Sequence, residues 1–263
     1  MEVEDRGAAL WATITRPHAL NAVDEDVLDH LESALDRVDD DPTRRAMCVT
    51  GSGRAFSVGL DIDCLDRGFG DHGYFRHLLG RFNHVLGRIE ACPVPVIAAV
   101  NGLARAGGFE IVLAADLAIA ADEARIGDNH LQFGVMPGGG ATQRAAQRLG
   151  PMRAKELIFT SRWLDATEAT ALGLVLDHVP RAELLAAVDG LVAQIADKPR
   201  GVLAATKRAI RDGRDLPLDA GVACETATFF DYLDTDPAAS AGFFAFLDQR
   251  RARRPGPDEK SRR

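Results

Sequence analysis

The chain has 263 residues, of which 46% are hydrophobic, and it carries a formal net charge of −8 at pH 7. This length and composition suffice for a sizeable core, in one large domain or in one domain with an appendage. The acidic balance disfavours non-specific binding to nucleic acid, no apolar run approaches the roughly 20 residues of a membrane span, and the acidic N-terminus lacks the pattern of a signal peptide. We therefore expect a globular, cytoplasmic protein whose partners include neither nucleic acid nor a membrane.

The cysteines and the clustered acids predict neither a disulfide framework nor a metal site. The four cysteines show no metal-ligand or redox spacing, and in a chain of this length we expect buried thiols. Three acids that follow the first glycine-rich stretch lack the remaining positions of a calcium loop, and we expect them to face solvent. They are Asp61, Asp63 and Asp66.

The first elements alternate between strands and helices. Loose alternation of apolar residues predicts a strand over residues 9–15, which leaves into the turn at Arg16-Pro17. Apolar residues at helical spacing predict a helix over residues 23–38, and we expect Asn21 to cap it. A second short strand is predicted over residues 47–50.

Residues 51–68 form a glycine-rich stretch, GSGRAFSVGLDIDCLDRG. Its glycines allow sharp bends and a close approach of the backbone to a ligand, although an ordinary loop has the same composition. Ser57 falls short of the G-x-S-x-G nucleophile elbow because position 55 is alanine, and we predict no apolar helix after it. We therefore reject a serine hydrolase, and the absence of a phosphate loop and of a dinucleotide fingerprint excludes the common nucleotide-binding motifs.

The central stretch, residues 95–116, joins two apolar runs through a glycine-bearing turn. After a predicted helix over residues 75–89, residues 94–100 predict a buried strand and residues 109–115 a buried helix. Gly107 and Gly108 leave the amides at the helix start unshielded, so this start can hold a developing oxyanion. Glu110 lies within one turn of them. Its apolar setting favours a raised pKa that suits proton transfer, although an acid there can also simply complement the helix dipole.

The remainder of the chain ends in helices. Strands are predicted over residues 117–120 and 125–127, and a turn at Pro137 and the three following glycines precedes a helix over residues 141–149. His130, with Asp128 beside it, can titrate near neutral pH, although a surface loop histidine is the alternative. Helices over 152–159 and 166–172, a strand over 174–179 and nearly continuous helix from 181 complete an α/β fold with a helical C-terminal region. We divide the chain into a core (1–195), a helical region (196–250) and a basic tail (251–263), which we expect to be disordered.

Four motifs follow one another at a characteristic spacing: GSGRAFSVGLDI, PVIAAVNGLARAGGFEIVLAAD, GVMPGGGATQR and DATEATALGLVLDHV. Together they resemble the crotonase family, the enoyl-CoA hydratase/isomerase superfamily, over nearly everything from about Trp11 to Arg250. The resemblance implies an α/β spiral of repeated β-β-α units in two roughly perpendicular sheets, with C-terminal helices that pack across a homotrimer or a hexamer made of two trimers. It also implies an acyl-CoA thioester substrate and no cofactor beyond the coenzyme A of that substrate.

Matched residue by residue, the resemblance assigns the two oxyanion amides to Leu60 and Gly107. It assigns the first catalytic glutamate of the hydratases to Glu110, whereas the second falls on His130. A carboxylate beside an imidazole favours the doubly charged pair, and an imidazolium can protonate C2 of the enoyl group while Glu110 accepts a proton from water.

The coenzyme A contacts and the reaction follow from the same resemblance. The segment Leu60, Asp61, Ile62 and Asp63 corresponds to the contact with adenine and pantetheine, and Arg16 lies near the CoA phosphates. Hydration of a 2-enoyl-CoA is the leading hypothesis. Another crotonase-type reaction through Glu110 and His130 remains open, namely double-bond isomerisation, thioester or carbon–carbon hydrolysis, or decarboxylation. A non-catalytic acyl-CoA-binding protein is the third hypothesis.

Overall fold

The computed structural model describes residues 1–252, which divide into two compact units at Arg200 and Gly201. The predicted basic tail therefore lies outside the described residues, apart from Arg251 and Ala252, which belong to the last helix. The strands are β1 (Glu2–Arg6), β2 (Ala9–Ile14), β3 (Ala46–Gly51), β4 (Ala55–Ser57), β5 (Val96–Val100), β6 (Leu103–Arg105), β7 (Leu117–Ala121), β8 (Arg125–Gly127), β9 (Leu164–Asp165) and β10 (Asp177–Val179).

The helices of the first unit are α1 (Glu25–Asp40), α2 (Ile62–Gly70), α3 (His72–Ala91), α4 (Gly107–Ala114), α5 (Ala141–Leu149), α6 (Pro151–Thr160), α7 (Ala166–Ala171) and α8 (Leu184–Ile195). Those that follow are α9 (Arg200–Gly213), which starts at the last residue of the first unit, α10 (Leu218–Thr235) and α11 (Ala241–Ala252). The C-terminal part of the described chain is thus helical, as predicted. No helix within residues 1–252 combines the length and apolar character that crossing a bilayer requires.

The strands form two sheets linked by a repeated unit. The larger sheet has the order β1-β2-β3-β5-β7-β10, and the smaller has the order β4-β6-β8-β9. Each of the pairs β3–β4, β5–β6 and β7–β8 gives one strand to each sheet, and a helix follows each pair. This repeat confirms the predicted α/β spiral of β-β-α units. Because β4, β6 and β8 are parallel neighbours, the segments that leave them emerge at one edge of the small sheet.

Both faces of the large sheet are buried, which explains its nearly continuous apolar strands. Alternate residues of β2 go to opposite sides: Leu10 and Ile14 pack with α1 and α3, whereas Trp11 packs with α8. The Leu28 side chain of α1 is fully buried, and burying a leucine stabilises a fold by about 1.5–3 kcal/mol. The core thus fixes the sheet from both sides.

The expected cap of α1 is wrong. Asp24, not Asn21, caps α1 by accepting from the amide of Val27 at 2.9 Å. Asn21 is buried with a left-handed backbone, and its side-chain amide donates to the carbonyls of Ser52 and Ala55 at 2.8 and 2.7 Å. A helix, α2, follows Ser57 because Asp61 caps it, but only Gly68 of this helix is buried, so it is not the apolar helix of a nucleophile elbow.

The predicted thiols and acids are only partly as expected. Cys48 and Cys92 are buried, whereas Cys64 and Cys224 are partly exposed. Asp61 does not face solvent: it is 8% exposed because it caps α2 and pairs with an arginine. Among residues 1–252, no cluster of histidine, cysteine or acidic side chains has the arrangement of a metal site.

Candidate active site

Two glycine turns meet at the edge of the small sheet. The first follows β4 and contains Gly59, and the second joins β6 to α4 at Gly107. Gly59 has a φ of +90°, and a Cβ atom placed on it would lie 2.5 Å from the amide nitrogen of Gly107. A Cβ atom on Gly107 would lie 3.4 Å from the amide nitrogen of Leu60. Only glycine permits this approach, and it makes the Leu60 and Gly107 amides neighbours.

Both amides lack a hydrogen-bond acceptor in the described part of the chain. Within residues 1–252, neither the Leu60 amide nor the Gly107 amide donates to a protein acceptor. The Gly107 amide belongs to the first turn of α4, where a helix has unpaired N–H groups and a partial positive charge. Two adjacent donors of this kind suit an oxygen atom that gains negative charge during a reaction.

Buried contacts with Ser57 hold the two glycine turns in place. Ser57 is fully buried; its hydroxyl donates to the carbonyl of Asn21 at 2.8 Å and accepts from the amide of Gly59 at 3.2 Å. This serine therefore supports the first turn. A Cβ atom on Gly108 would lie 2.0 Å from the Ser57 carbonyl oxygen, so the second turn rests directly on the end of β4.

Glu110 is buried in the second turn's helix and faces the start of α5. It is 2% exposed, and its Oε1 accepts from the amide of Ala141 at 3.1 Å. A Cβ atom on Gly139 would lie 2.2 Å from Glu110 Oε2, so the glycine run after Pro137 makes room for the carboxylate. Burial raises the pKa of Glu110, and it outweighs the positive charge of His130 and the Ala141 hydrogen bond, which act in the opposite direction.

His130 follows β8 and is held by Asp128. Its Nδ1 lies 3.0 Å from Asp128 Oδ2, and its backbone amide donates to Asp128 Oδ1 at 3.2 Å. Asp128 is fully buried, whereas 18% of the His130 side chain is exposed. Because an ionised carboxylate only accepts hydrogen bonds, Nδ1 carries the hydrogen and Nε2 is left for proton exchange.

Glu110 and His130 each affect the pKa of the other. Burial alone would lower the pKa of His130, but the hydrogen bond to Asp128 and the negative charges of Asp128 and Glu110 outweigh it, and the pKa is raised. The negative charge of Glu110 thus raises the pKa of His130, whereas burial raises the pKa of Glu110 despite the positive charge of His130. Such perturbed pairs suit proton transfer near neutrality.

The residues matched to coenzyme A contacts form a separate group. Arg16 Nη1 donates to Asp61 Oδ2 at 2.9 Å and to the carbonyl of Ala22 at 2.7 Å, and its Nη2 pairs with Asp24 at 3.1 Å. This guanidinium therefore donates to oxygen atoms of the protein. Ile62 is 78% exposed and Asp63 is exposed, both in the first turn of α2 just beyond the half-buried Leu60.

The sequence and the fold of this chain are similar to those of known proteins. The chain matches the family model described as Enoyl-CoA hydratase/isomerase over residues 5–254. It is similar to a short-chain-enoyl-CoA hydratase of Clostridium acetobutylicum, with 34% identity over 95% of each protein, and to a crotonyl-CoA hydratase of Syntrophomonas wolfei, with 35% identity over 96% of this chain and 95% of that protein. Among solved structures it is similar to an enoyl-CoA hydratase of Bacillus anthracis, with a TM-score of 0.87 and 30% identity over 94% of this chain and 96% of that one.

Proposed function

The chain belongs to the enoyl-CoA hydratase/isomerase family, and from that premise we propose that it is a lyase that adds water to a 2-enoyl-CoA thioester. The observation that carries the proposal is the contact between the two glycine turns. It brings two unpaired amides together at the edge where α4 supplies Glu110 and β8 leads to His130.

The proposed reaction uses the two amides for the carbonyl oxygen and the two side chains for protons. The carboxylate of Glu110 takes a proton from water, and the resulting hydroxide adds to C3. The electron pair of the double bond moves to C2 and the thioester oxygen, where the amides of Leu60 and Gly107 stabilise the enolate. The imidazolium of His130 then protonates C2, and a proton passes from Glu110 to His130 to complete the cycle. One oxyanion donor is typically worth about 10²–10³ in rate.

Asp128 would act as a positioning residue in this scheme. Its hydrogen bond to Nδ1 fixes the ring orientation, and its charge favours the imidazolium. A general acid must be protonated at the working pH, and the raised pKa of His130 extends that range upward.

The remaining expectations accompany this proposal. Asp61, Ile62 and Asp63 would contact coenzyme A beside Leu60, with Arg16 near its phosphates, and no cofactor is needed beyond the coenzyme A of the substrate. A homotrimer or a hexamer is the expected assembly, and the cytoplasm is the expected compartment. Light scattering of the purified protein measures the assembly.

A second candidate function is double-bond isomerisation. The family resemblance matches His130 to the second glutamate of the hydratases, and this favours isomerisation because one carboxylate and one imidazole can move a proton between C2 and C4. A relative from Mycosarcoma maydis, 34% identical over 84% of each protein, is named an isomerase/hydratase. Mass spectrometry separates the two reactions because only hydration adds the mass of water.

The experiment is a screen of enoyl-CoA esters that follows the absorbance of the conjugated thioester. Wild-type protein should consume crotonyl-CoA or a longer ester and form the hydrated product, and Glu110→Gln should lose about 10²–10⁴ in rate. The exposed Glu123 provides a matched control, since Glu123→Gln removes a charge outside the site. Saturable binding of esters without turnover would instead identify an acyl-CoA-binding protein.

A further inference from the structure

Arg105 is a half-buried cation at the edge where the proposed acid/base pair lies. It ends β6, two residues before Gly107, and its register partner in β8 is Gly127, which immediately precedes Asp128. Because β6 and β8 are parallel, their ends reach the same edge of the small sheet. The side chain of Arg105 therefore starts beside the segment that carries His130.

The guanidinium of Arg105 stacks on an aromatic ring of that segment. Its central carbon lies 5.4 Å from the ring centroid of Phe133, and Phe133 belongs to the same single 3-10 turn as His130. The ring is 65% exposed. After burial, the charge of Arg105 is the influence that lowers the pKa of His130, although the net shift is upward. Arg105 is thus within electrostatic range of the imidazole.

Five other half-buried arginines of the first unit pair with carboxylates, whereas Arg45 and Arg200 donate to backbone carbonyls. The distances between nitrogen and oxygen are 2.5–2.9 Å for Arg16, Arg81, Arg88, Arg144 and Arg162. Within the described part of the chain, the Arg105 guanidinium has neither an ion pair nor a hydrogen bond, and it lies over the Phe133 ring. A guanidinium has five N–H donors, and donors withdrawn from water need acceptors. A bound anion would supply them.

We propose that Arg105 receives a carboxylate at the far end of the acyl chain, so that the preferred substrate is the mono-CoA thioester of an unsaturated dicarboxylic acid. This inference rests on the proposed hydratase function. The planar guanidinium matches a carboxylate with two parallel hydrogen bonds. The buried acids Glu110 and Asp128 would repel a carboxylate at the end of the acyl chain, and the positive charge of Arg105 beside them would offset this repulsion. The exposed Phe133 ring would line the path of the methylene groups.

The test compares two esters that differ only at the chain end. One is hex-2-enoyl-CoA, and in the other a carboxylate replaces the terminal methyl group. Wild-type protein should prefer the charged ester in kcat/KM. Arg105→Met should lower the ratio of charged to uncharged ester about tenfold or more, and Arg105→Lys should retain part of it because the charge remains while the planar fork is lost.

Arg88 provides a matched control. Its side chain is 23% exposed and pairs with Asp36 of α1, so Arg88→Met removes a similar charge on another face of the first unit and should leave the ratio unchanged. Because each ratio is measured within one preparation, partial misfolding of a variant does not alter it.

Each remaining outcome overturns the inference or supports it. An unchanged ratio in Arg105→Met, or an equal loss on both esters, overturns it and leaves hydration standing; the equal loss would point to a contact with the CoA phosphates. If neither ester is hydrated, the proposed function fails, and calorimetric titration with adipyl-CoA and hexanoyl-CoA decides the inference instead. Tighter binding of adipyl-CoA that Arg105→Met abolishes supports it, and equal affinities overturn it.

Discussion

Asp128 Oδ2 lies 3.0 Å from Nδ1 of His130, and the aspartate is fully buried whereas the imidazole reaches solvent. A buried carboxylate such as that of Asp128 is costly to desolvate unless it has a hydrogen-bond partner. Its partner here is the imidazole of His130, which lies beside Glu110. The predictions that follow concern this pair, the glycine turns and the burial of Glu110.

Asp128→Asn should shift the pH dependence of the reaction. Asp128 raises the pKa of His130 through its hydrogen bond and its charge. If His130 donates its proton, kcat/KM falls as pH rises through that raised pKa, above the ordinary value of about 6.5. The amide cannot supply the charge, so the alkaline limb should move to lower pH. A kcat/KM profile of both proteins measures this, and an unmoved limb would show that Asp128 has only a structural role.

Glu110→Gln should make stability less sensitive to pH. The folded protein holds the Glu110 proton more tightly than the unfolded chain, because burial raises the pKa. The stability from this group is therefore complete below about pH 4.3 and is lost as pH rises through the folded value. The amide has no such loss, so the Tm of the variant relative to that of the wild type should rise as pH increases from about 4.3 through the folded pKa of Glu110. A constant Tm difference would contradict the burial of an ionisable Glu110.

Gly59→Ala should abolish turnover. The added Cβ atom would lie 2.5 Å from the amide nitrogen of Gly107, and the backbone at Gly59 has a φ of +90° that alanine rarely adopts. The turns must separate, and the loss of one oxyanion donor alone is worth about 10²–10³ in rate. Steady-state kinetics with circular dichroism measures the effect. Full activity in a folded variant would mean that the contact between the turns is not needed.

Gly80→Ala should stabilise the protein. Gly80 lies in the interior of α3, and a Cβ atom on it would meet nothing within 4 Å. Alanine in an exposed helix interior is favoured over glycine by about 0.5–1 kcal/mol. Urea unfolding measures the gain in the free energy of unfolding, and the variant is also the control for Gly59→Ala. A destabilised Gly80→Ala would contradict this prediction.

The sequence predicted elements where one physical signal dominates. The helix over residues 141–149 coincides with α5, and the strand over residues 94–100 contains β5, because apolar periodicity and flanking glycine or proline agree there. β1 was not predicted because Glu2–Arg6 is mostly charged, and its pairing with β2 holds it in the sheet. α2 was not predicted because its start depends on Asp61 as a cap rather than on an apolar face.

The site was predictable only in part. Unshielded amides before Glu110 follow from the residues, whereas the meeting of Gly59 with Gly107 requires the parallel pairing of β4 with β6, and only the family resemblance could anticipate it. The contact of Asp128 with His130 has a local signal, an acid two positions before a histidine, which many surface loops share. No sequence pattern singles out Arg105, because only the folded structure shows whether an arginine has a carboxylate partner.

The most direct test of the central claim is the mass of the product that forms from crotonyl-CoA in water labelled with oxygen-18. Wild-type protein should give a hydroxyacyl-CoA that carries the label at C3, and Glu110→Gln should form it about 10²–10⁴ times more slowly. A product without the label, or a Glu110→Gln variant that forms the labelled product at the full rate, would contradict the assignment of Glu110 as the base that activates water.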